Sequence, residues 1–288
     1  MKTIDFRFRP HTKETLEVLS SSPIFRKGLL ESGRDLDAFV ASAKTMDAIA
    51  EELREAGMLR AVIVGRDAET TYQFKPNHEE IIPFLEKYPD LFIGFAGVDP
   101  HKGMDSIYQL EDLVKNHGFS GAAIDPMYAQ IRSNHEKYYP IYAKCCELDV
   151  PVFIYSSMNL SGAVPYDIGH PRYIDEVARD FPELKILASV SGWPWVLDFI
   201  GLALRHKNVY LNMETHNPAL ITVQGSGYEP YLHWLPRVQD KFFFSSDWNS
   251  QGKTLEYLIN AVEEWPFSDE IKEKVLYKNA AKFFGIED

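Results

Sequence analysis

The sequence predicts an α/β protein folded as a (β/α)8 TIM barrel, and two observations predict it. Short apolar runs recur eight times along 288 residues. Between them lie segments with apolar residues at i, i+3, i+4 and i+7, the period of a helix that buries one face. A strand followed by a helix, repeated, means parallel strands joined by crossovers. Eight such units in a chain of this length favour a closed barrel over a doubly wound sheet, and no glycine-rich phosphate loop follows the first strand. Residues 1–288 read as one barrel domain.

The first run, "KTIDFRF" (2–8), stops before Pro10, which has no N–H for a sheet ladder. Alternation along a strand expects Asp5, Arg7 and Arg9 on one face and Phe6 and Phe8 on the other. The connection over 10–59 far exceeds the about two to six residues usual between strand and helix. Its early part is therefore expected to form a lid over the barrel mouth. The later strands are "RAVIVG" (60–65), "LFIGFAGV" (91–98), "GAAID" (121–125), "PVFIYS" (151–156), "LKILASV" (184–190), "NVYLNME" (208–214) and "KFFFSS" (241–246). Helical periodicity marks "TMDAIAEELREAGM", "NHEEIIPFLEKYP", "SIYQLEDLVKNHG", "YYPIYAKCCELD" and "PRYIDEVARDFPE". Gly57 and Gly118 stand where left-handed residues close helices, and Pro89 and Pro182 lie just past helix ends.

A formal charge of −12 and the lack of any basic block argue against nucleic acid as a partner, since such binding rests on neutralised phosphates. The two cysteines, Cys145 and Cys146, are adjacent and cannot build a disulfide framework, which suits a reducing compartment. No apolar run reaches the about 18 residues that span a bilayer. The N-terminus enters a strand without a signal-like apolar core, so the expected location is cytoplasmic, away from membranes. A homo-oligomer stays open.

In such a barrel the functional residues stand at the C-terminal ends of the strands. Those ends hold Arg7 and Arg9, Arg66 and Asp67, Asp99, Asp125, Tyr155, Ser189 to Ser191, Glu214 and His216, and Asp247. Asp99-Pro100 and Asp125-Pro126 have the form of turns in which aspartate caps its own backbone. With Glu214 they are also the oxygen donors that a hard cation takes, and capping is the preferred reading. Trp248, beside Asp247, is a candidate for stacking on a planar substrate. Trp193 and Trp195 are expected to pack their own loop. No Gly-x-Ser-x-Gly, Cys-x-x-Cys, Walker loop or His-Glu-x-x-His is present.

Together the opening "IDFRFRP", "SGWPWV" after the sixth strand, "SSDW" after the eighth and the closing "YKNAAKFFGI" resemble the amidohydrolase superfamily. The resemblance is to its amidohydrolase-2 group, which includes aminocarboxymuconate-semialdehyde decarboxylase-like enzymes and lactonases. It implies a His-x-His metal pair at the end of the first strand, a ligand histidine after the fifth, another after the sixth, and a functional aspartate after the eighth. Only Asp247 matches. Arg7 and Arg9 stand at the first pair, Tyr155 at the fifth strand and Val190, flanked by serines, at the sixth. Arginine stays protonated and offers no lone pair, so neither Arg7 nor Arg9 is a metal ligand.

The expected site is therefore metal-free and needs no cofactor. Arg7 and Arg9, with Asp125, Tyr155 and Trp248, bind a small acidic molecule, and Asp247 is the catalytic group. The alternative role for the two arginines is an internal ion network with Asp5, Asp125 or Asp247. The favoured activity is hydrolysis of a lactone or ester-type bond. Decarboxylation of a small aromatic or unsaturated acid is the second reading, and a non-catalytic anion-binding barrel the third.

Overall fold

The computed structural model describes residues 1–22, 26, 29, 30, 33, 35–248 and 252–286. Eight parallel strands lie in sequential order in one sheet: β1 (Thr3–Phe8), β2 (Met58–Val64), β3 (Phe92–Gly97), β4 (Phe119–Ile124), β5 (Val152–Tyr155), β6 (Ile186–Ser189), β7 (Val209–Asn212) and β8 (Phe242–Phe243). The Phe6 N–H donates to the Phe244 carbonyl and the Asp247 N–H to the Arg7 carbonyl, each at 2.9 Å, drawing the ring together at its seam. The protein is the (β/α)8 barrel that the strand–helix alternation predicts.

Both faces of the strands are buried, which is why they read as near-continuous apolar runs. Ile4, Phe6, Val62, Phe95, Phe153, Leu187 and Phe243 fill the interior. Ala61, Ile63, Ala122, Ile154, Ile186 and Leu211 face the helices instead. Those helices include α1 (Met46–Glu55), α2 (His78–Lys87), α3 (Met104–Asn116), α4 (Tyr139–Glu147), α5 (Arg172–Asp180) and α6 (Val196–Arg205). The Thr45 hydroxyl starts α1 by accepting from the Ala48 N–H. Gly57 and Gly118 follow α1 and α3 with φ of 75° and 74°, the left-handed closure their sequence positions predict.

One expectation fails inside β1. Asp5 pairs with Ala61 while Phe8 pairs with Ile63, so three steps on β1 match two on β2, and a bulge breaks the alternation. Phe6 packs inside the barrel against Phe243, with ring centroids 4.5 Å apart. Phe8 joins the helix-facing layer, 5.8 Å from the Trp248 ring. Asp5, Arg7 and Arg9 therefore do not share one face: the extra residue turns Arg7 and Arg9 to the mouth and leaves Asp5 against the β8 segment.

The long first connection carries helices over Lys13–Ser21 and Leu36–Ala41 before α1. Its residues 10, 12–15, 18 and 19 border a cavity at the mouth. The rest of the expected lid falls partly on 23–25, 27, 28, 31, 32 and 34, outside the described residues. Among the described residues no helix is long and apolar enough to cross a membrane.

Candidate functional site

The chain leaves β5 to β8 through strained backbone. Ser157, Val190, Thr215 and Asp247 have φ of 77°, 54°, 67° and 39°. Left-handed geometry is uncommon for any side chain and a true outlier for a β-branched one such as Val190. Residues held this way gather at functional sites, where surrounding contacts over-determine them.

Three buried guanidinium groups meet at this mouth. Arg9 Nε lies 3.0 Å from Asp247 Oδ1, and the other oxygen of Asp247 accepts from the Thr215 hydroxyl at 3.1 Å. Arg66 Nε donates to Asp125 Oδ2 at 2.9 Å. The second oxygen of Asp125 accepts from the Met127 and Tyr128 N–H groups, 3.1 Å each, so this aspartate caps its turn as its Asp-Pro sequence predicts. Arg7 is held differently. Its Nε is 3.5 Å from Glu214 Oε2, an ion pair without hydrogen-bond geometry, and one terminal nitrogen reaches the Phe8 carbonyl at 3.4 Å.

Tyr155 links the cluster. The Arg7 and Arg66 guanidinium carbons lie over its ring, 5.4 and 4.5 Å from the centroid, where the π face attracts a cation. Its hydroxyl and Arg7 Nε are fully buried and make no hydrogen bond among the described residues. Arg7, Arg9, Arg66 and Tyr155 border one cavity of about 730 Å³, whose walls include Phe74 and Phe84. That volume suits a small organic ligand.

The carboxyls around the arginines differ in their hold on a proton. Burial pushes Glu214 up to about 7, against the pull of Arg7, and Asp247 pushes the same way as burial. Burial likewise lifts Asp5 to about 7, although its carboxyl accepts from the Arg7 N–H at 3.0 Å, the Ser246 N–H at 2.9 Å and the Ser246 hydroxyl. Burial pushes His216 down to about 4, so it is neutral at physiological pH. Its ring lies 5.0 Å from that of Tyr228.

The structure thus brings together Arg7, Arg9, Tyr155, Asp125 and Asp247; Arg7, Arg9 and Tyr155 border the cavity, and the two aspartates lie behind them, paired with Arg66 and Arg9. Trp248 stands apart: it is buried against Phe8 and His11, with the Lys44 ammonium 4.8 Å from its ring, and does not border the cavity. Asp99 is occupied by the His101 N–H at 2.9 Å and by Thr70. Arg66 and Glu214 complete the cluster. Both were visible at strand ends, yet only their partners reveal their place in it. Among the described residues no three His, Cys, Asp or Glu converge as metal ligands. Guanidinium groups repel a dication, and Asp247 is already shared by Arg9 and Thr215, so this donor set does not fit a divalent metal.

Comparison with known proteins agrees with the fold. The chain is similar to an uncharacterized TIM-barrel protein from Bordetella bronchiseptica, at 21% identity and a TM-score of 0.80 over 99% of each chain. It is similar to 5-carboxyvanillate decarboxylase from Novosphingobium aromaticivorans, solved with manganese, at 15% identity and a TM-score of 0.69, covering 98% of this chain and 96% of that one. It also resembles 2,6-dihydroxybenzoate decarboxylase from Rhizobium, at 14% identity and a TM-score of 0.69 over 99% of each chain. At these identities the likeness is one of fold. No curated protein matches the sequence. The Amidohydro_2 family model, described as amidohydrolase, matches residues 18–286; Arg7 and Arg9 precede the match. With nearly its whole length covered, the chain belongs to the amidohydrolase-2 family.

Proposed function

We propose that the barrel mouth binds the carboxylate of a small acid and that the protein hydrolyses a lactone or ester-type bond in it without a metal ion. One observation carries this reading: Arg7 and Tyr155 border the cavity, and among the described residues their buried Nε and hydroxyl have no hydrogen-bond partner. Buried donors are rarely left so, and an oxyanion satisfies both. Arg7 and Arg66 hold the anion, and Tyr155 donates to the carbonyl oxygen as negative charge develops on it. Asp247 takes the proton of the attacking water and returns it to the departing oxygen as the acyl C–O bond breaks, and Arg9 and Thr215 fix its orientation. In this scheme Arg7 and Arg9 stand at the end of β1, where the family resemblance implies a His-x-His metal pair. Residues 10, 12–15, 18 and 19 of the first connection border the bound acid.

A second reading, decarboxylation, has a specific observation in its favour. Glu214, beside Arg7 and raised to about 7, can carry the proton that replaces a departing carboxyl group. Most of the structural neighbours are decarboxylases of aromatic acids. Proton balance separates the readings. Lactone hydrolysis releases a proton at neutral pH, whereas loss of CO₂ from a carboxylate consumes one. A pH-stat with CO₂ detection, run on acidic lactones and on hydroxylated benzoates, supports hydrolysis if acid appears with lactones alone. CO₂ from the benzoates would overturn it in favour of the second reading. Ligand-dependent thermal shifts without turnover would leave only a binding role.

A further inference from the structure

The three guanidinium groups are not equivalent, and the difference makes one carboxyl a proton carrier. Arg9 and Arg66 have carboxylates at 3.0 and 2.9 Å, and those carboxylates have further donors. Arg7 has only the looser contact with Glu214 at 3.5 Å. Glu214 is held besides by the Asn212 side-chain amide at 3.4 Å and by the neighbouring Ser189 side chain. It is 1% exposed, so water cannot replace a lost partner.

From this asymmetry we infer that an anion docking on Arg7 takes over its charge from Glu214, and that Glu214 then picks up one proton from solvent. The inference rests on the anion site proposed above. A buried carboxylate keeps its charge only beside a cation or strong donors. The groups facing Glu214 are Arg7 from β1, Tyr155 from β5, Ser189 from β6, Asn212 from β7 and, at longer range, Asp247 and Arg9. Once an anion shares Arg7, the guanidinium stabilises ionised Glu214 less, while Asp247 still opposes its charge. The position of Glu214, raised by burial to about 7 before any ligand arrives, makes the transfer readable at accessible pH. Glu214 acts through Arg7, so it is a positioning residue: it sets the pH at which the anion is held and leaves a proton stored beneath it.

The test is calorimetric titration of the full chain with benzoate, in buffers of differing ionisation enthalpy, at pH 6 and pH 8. The expected result is uptake of close to one proton per benzoate at pH 8 and close to none at pH 6, where Glu214 is already neutral. Above pH 7 the Kd weakens by about tenfold per pH unit. In Glu214→Gln the uptake disappears, the Kd no longer depends on pH, and binding at pH 8 is at least as tight as in the parent. Asp5→Asn is the control, because Asp5 titrates in the same range without touching the Arg7 guanidinium. Uptake that survives in Glu214→Gln, or vanishes only in Asp5→Asn, would overturn the inference. Benzoate binding with no proton uptake would overturn it while sparing the anion site. Failure of benzoate to bind at all would remove both.

Discussion

Asp5 allows a quantitative test of how this barrel handles buried charge. Its carboxyl is fully buried at the seam between β1 and the β8 segment, where three N–H and O–H groups donate to it. Burial nevertheless lifts it from an ordinary 3.8 to about 7, so desolvation outweighs the donors. The folded chain binds this proton more tightly than the unfolded one. Its contribution to stability is therefore largest below pH 3.8, declines as pH rises to about 7 and is constant above. At about 1.4 kcal/mol per pH unit, ionised Asp5 costs on the order of 4 kcal/mol at pH 8. Asp5→Asn removes that slope. At pH 4 the variant is less stable than the parent by about 1 kcal/mol, because the Ser246 hydroxyl loses its acceptor. By pH 8 the order reverses by about 3 kcal/mol. Urea unfolding of both proteins from pH 4 to pH 9 measures this directly. Parallel curves would refute the reasoning, because they would mean that the three donors hold the carboxylate ionised throughout.

Three further results are expected. Arg9→Met takes the guanidinium from a carboxylate that is 1% exposed and should lower stability by about 3–5 kcal/mol, with Arg9→Met/Asp247→Asn recovering most of it in urea unfolding. Tyr155→Phe keeps the ring under Arg7 and Arg66 while removing the unpartnered hydroxyl. On an acidic lactone it should lower kcat about 100-fold with little change in KM, and an equal rise in KM alone would show that the hydroxyl only binds. Protein purified without chelator or histidine tag should show far less than one equivalent of any divalent metal by plasma mass spectrometry, and near-stoichiometric metal would end the metal-free reading.

The barrel was legible because its strands are buried on both faces and its helices on one, so the two periodicities separate cleanly along the chain. Caps such as Gly57 needed only local chemistry. The bulge in β1 left no such mark: neither glycine nor proline occurs between Asp5 and Phe8, and the extra residue is defined only by the register with β2. The same holds for charge. Strand ends displayed Arg7, Arg9, Arg66, Glu214 and Asp247, but whether Asp125 neutralises Arg66 or Arg9 is decided by a contact across 59 residues. Trp248 was placed with the substrate by its adjacency to Asp247. Asp247 instead adopts a left-handed backbone, and the indole ends in the layer against Phe8.

What separates an arginine mouth from a metal mouth is the half of metal chemistry that arginine can supply. A divalent ion both attracts an anion and acidifies a bound water until hydroxide is present at neutral pH. A guanidinium group gives the attraction, with fixed forks that suit a carboxylate, but it cannot bind water as a ligand. In the proposed site the nucleophile therefore comes from a carboxylate base, Asp247, which Arg9 orients at 3.0 Å while weakening it as a base. The deficit falls on the substrate. Its carbonyl has to be activated by the Tyr155 hydroxyl, and its leaving group has to depart without metal assistance. Strained or enol lactones meet that demand, and unactivated amides and phosphoesters do not. Comparable kcat/KM on a plain amide would therefore show that the arginines had been given the wrong half of the work.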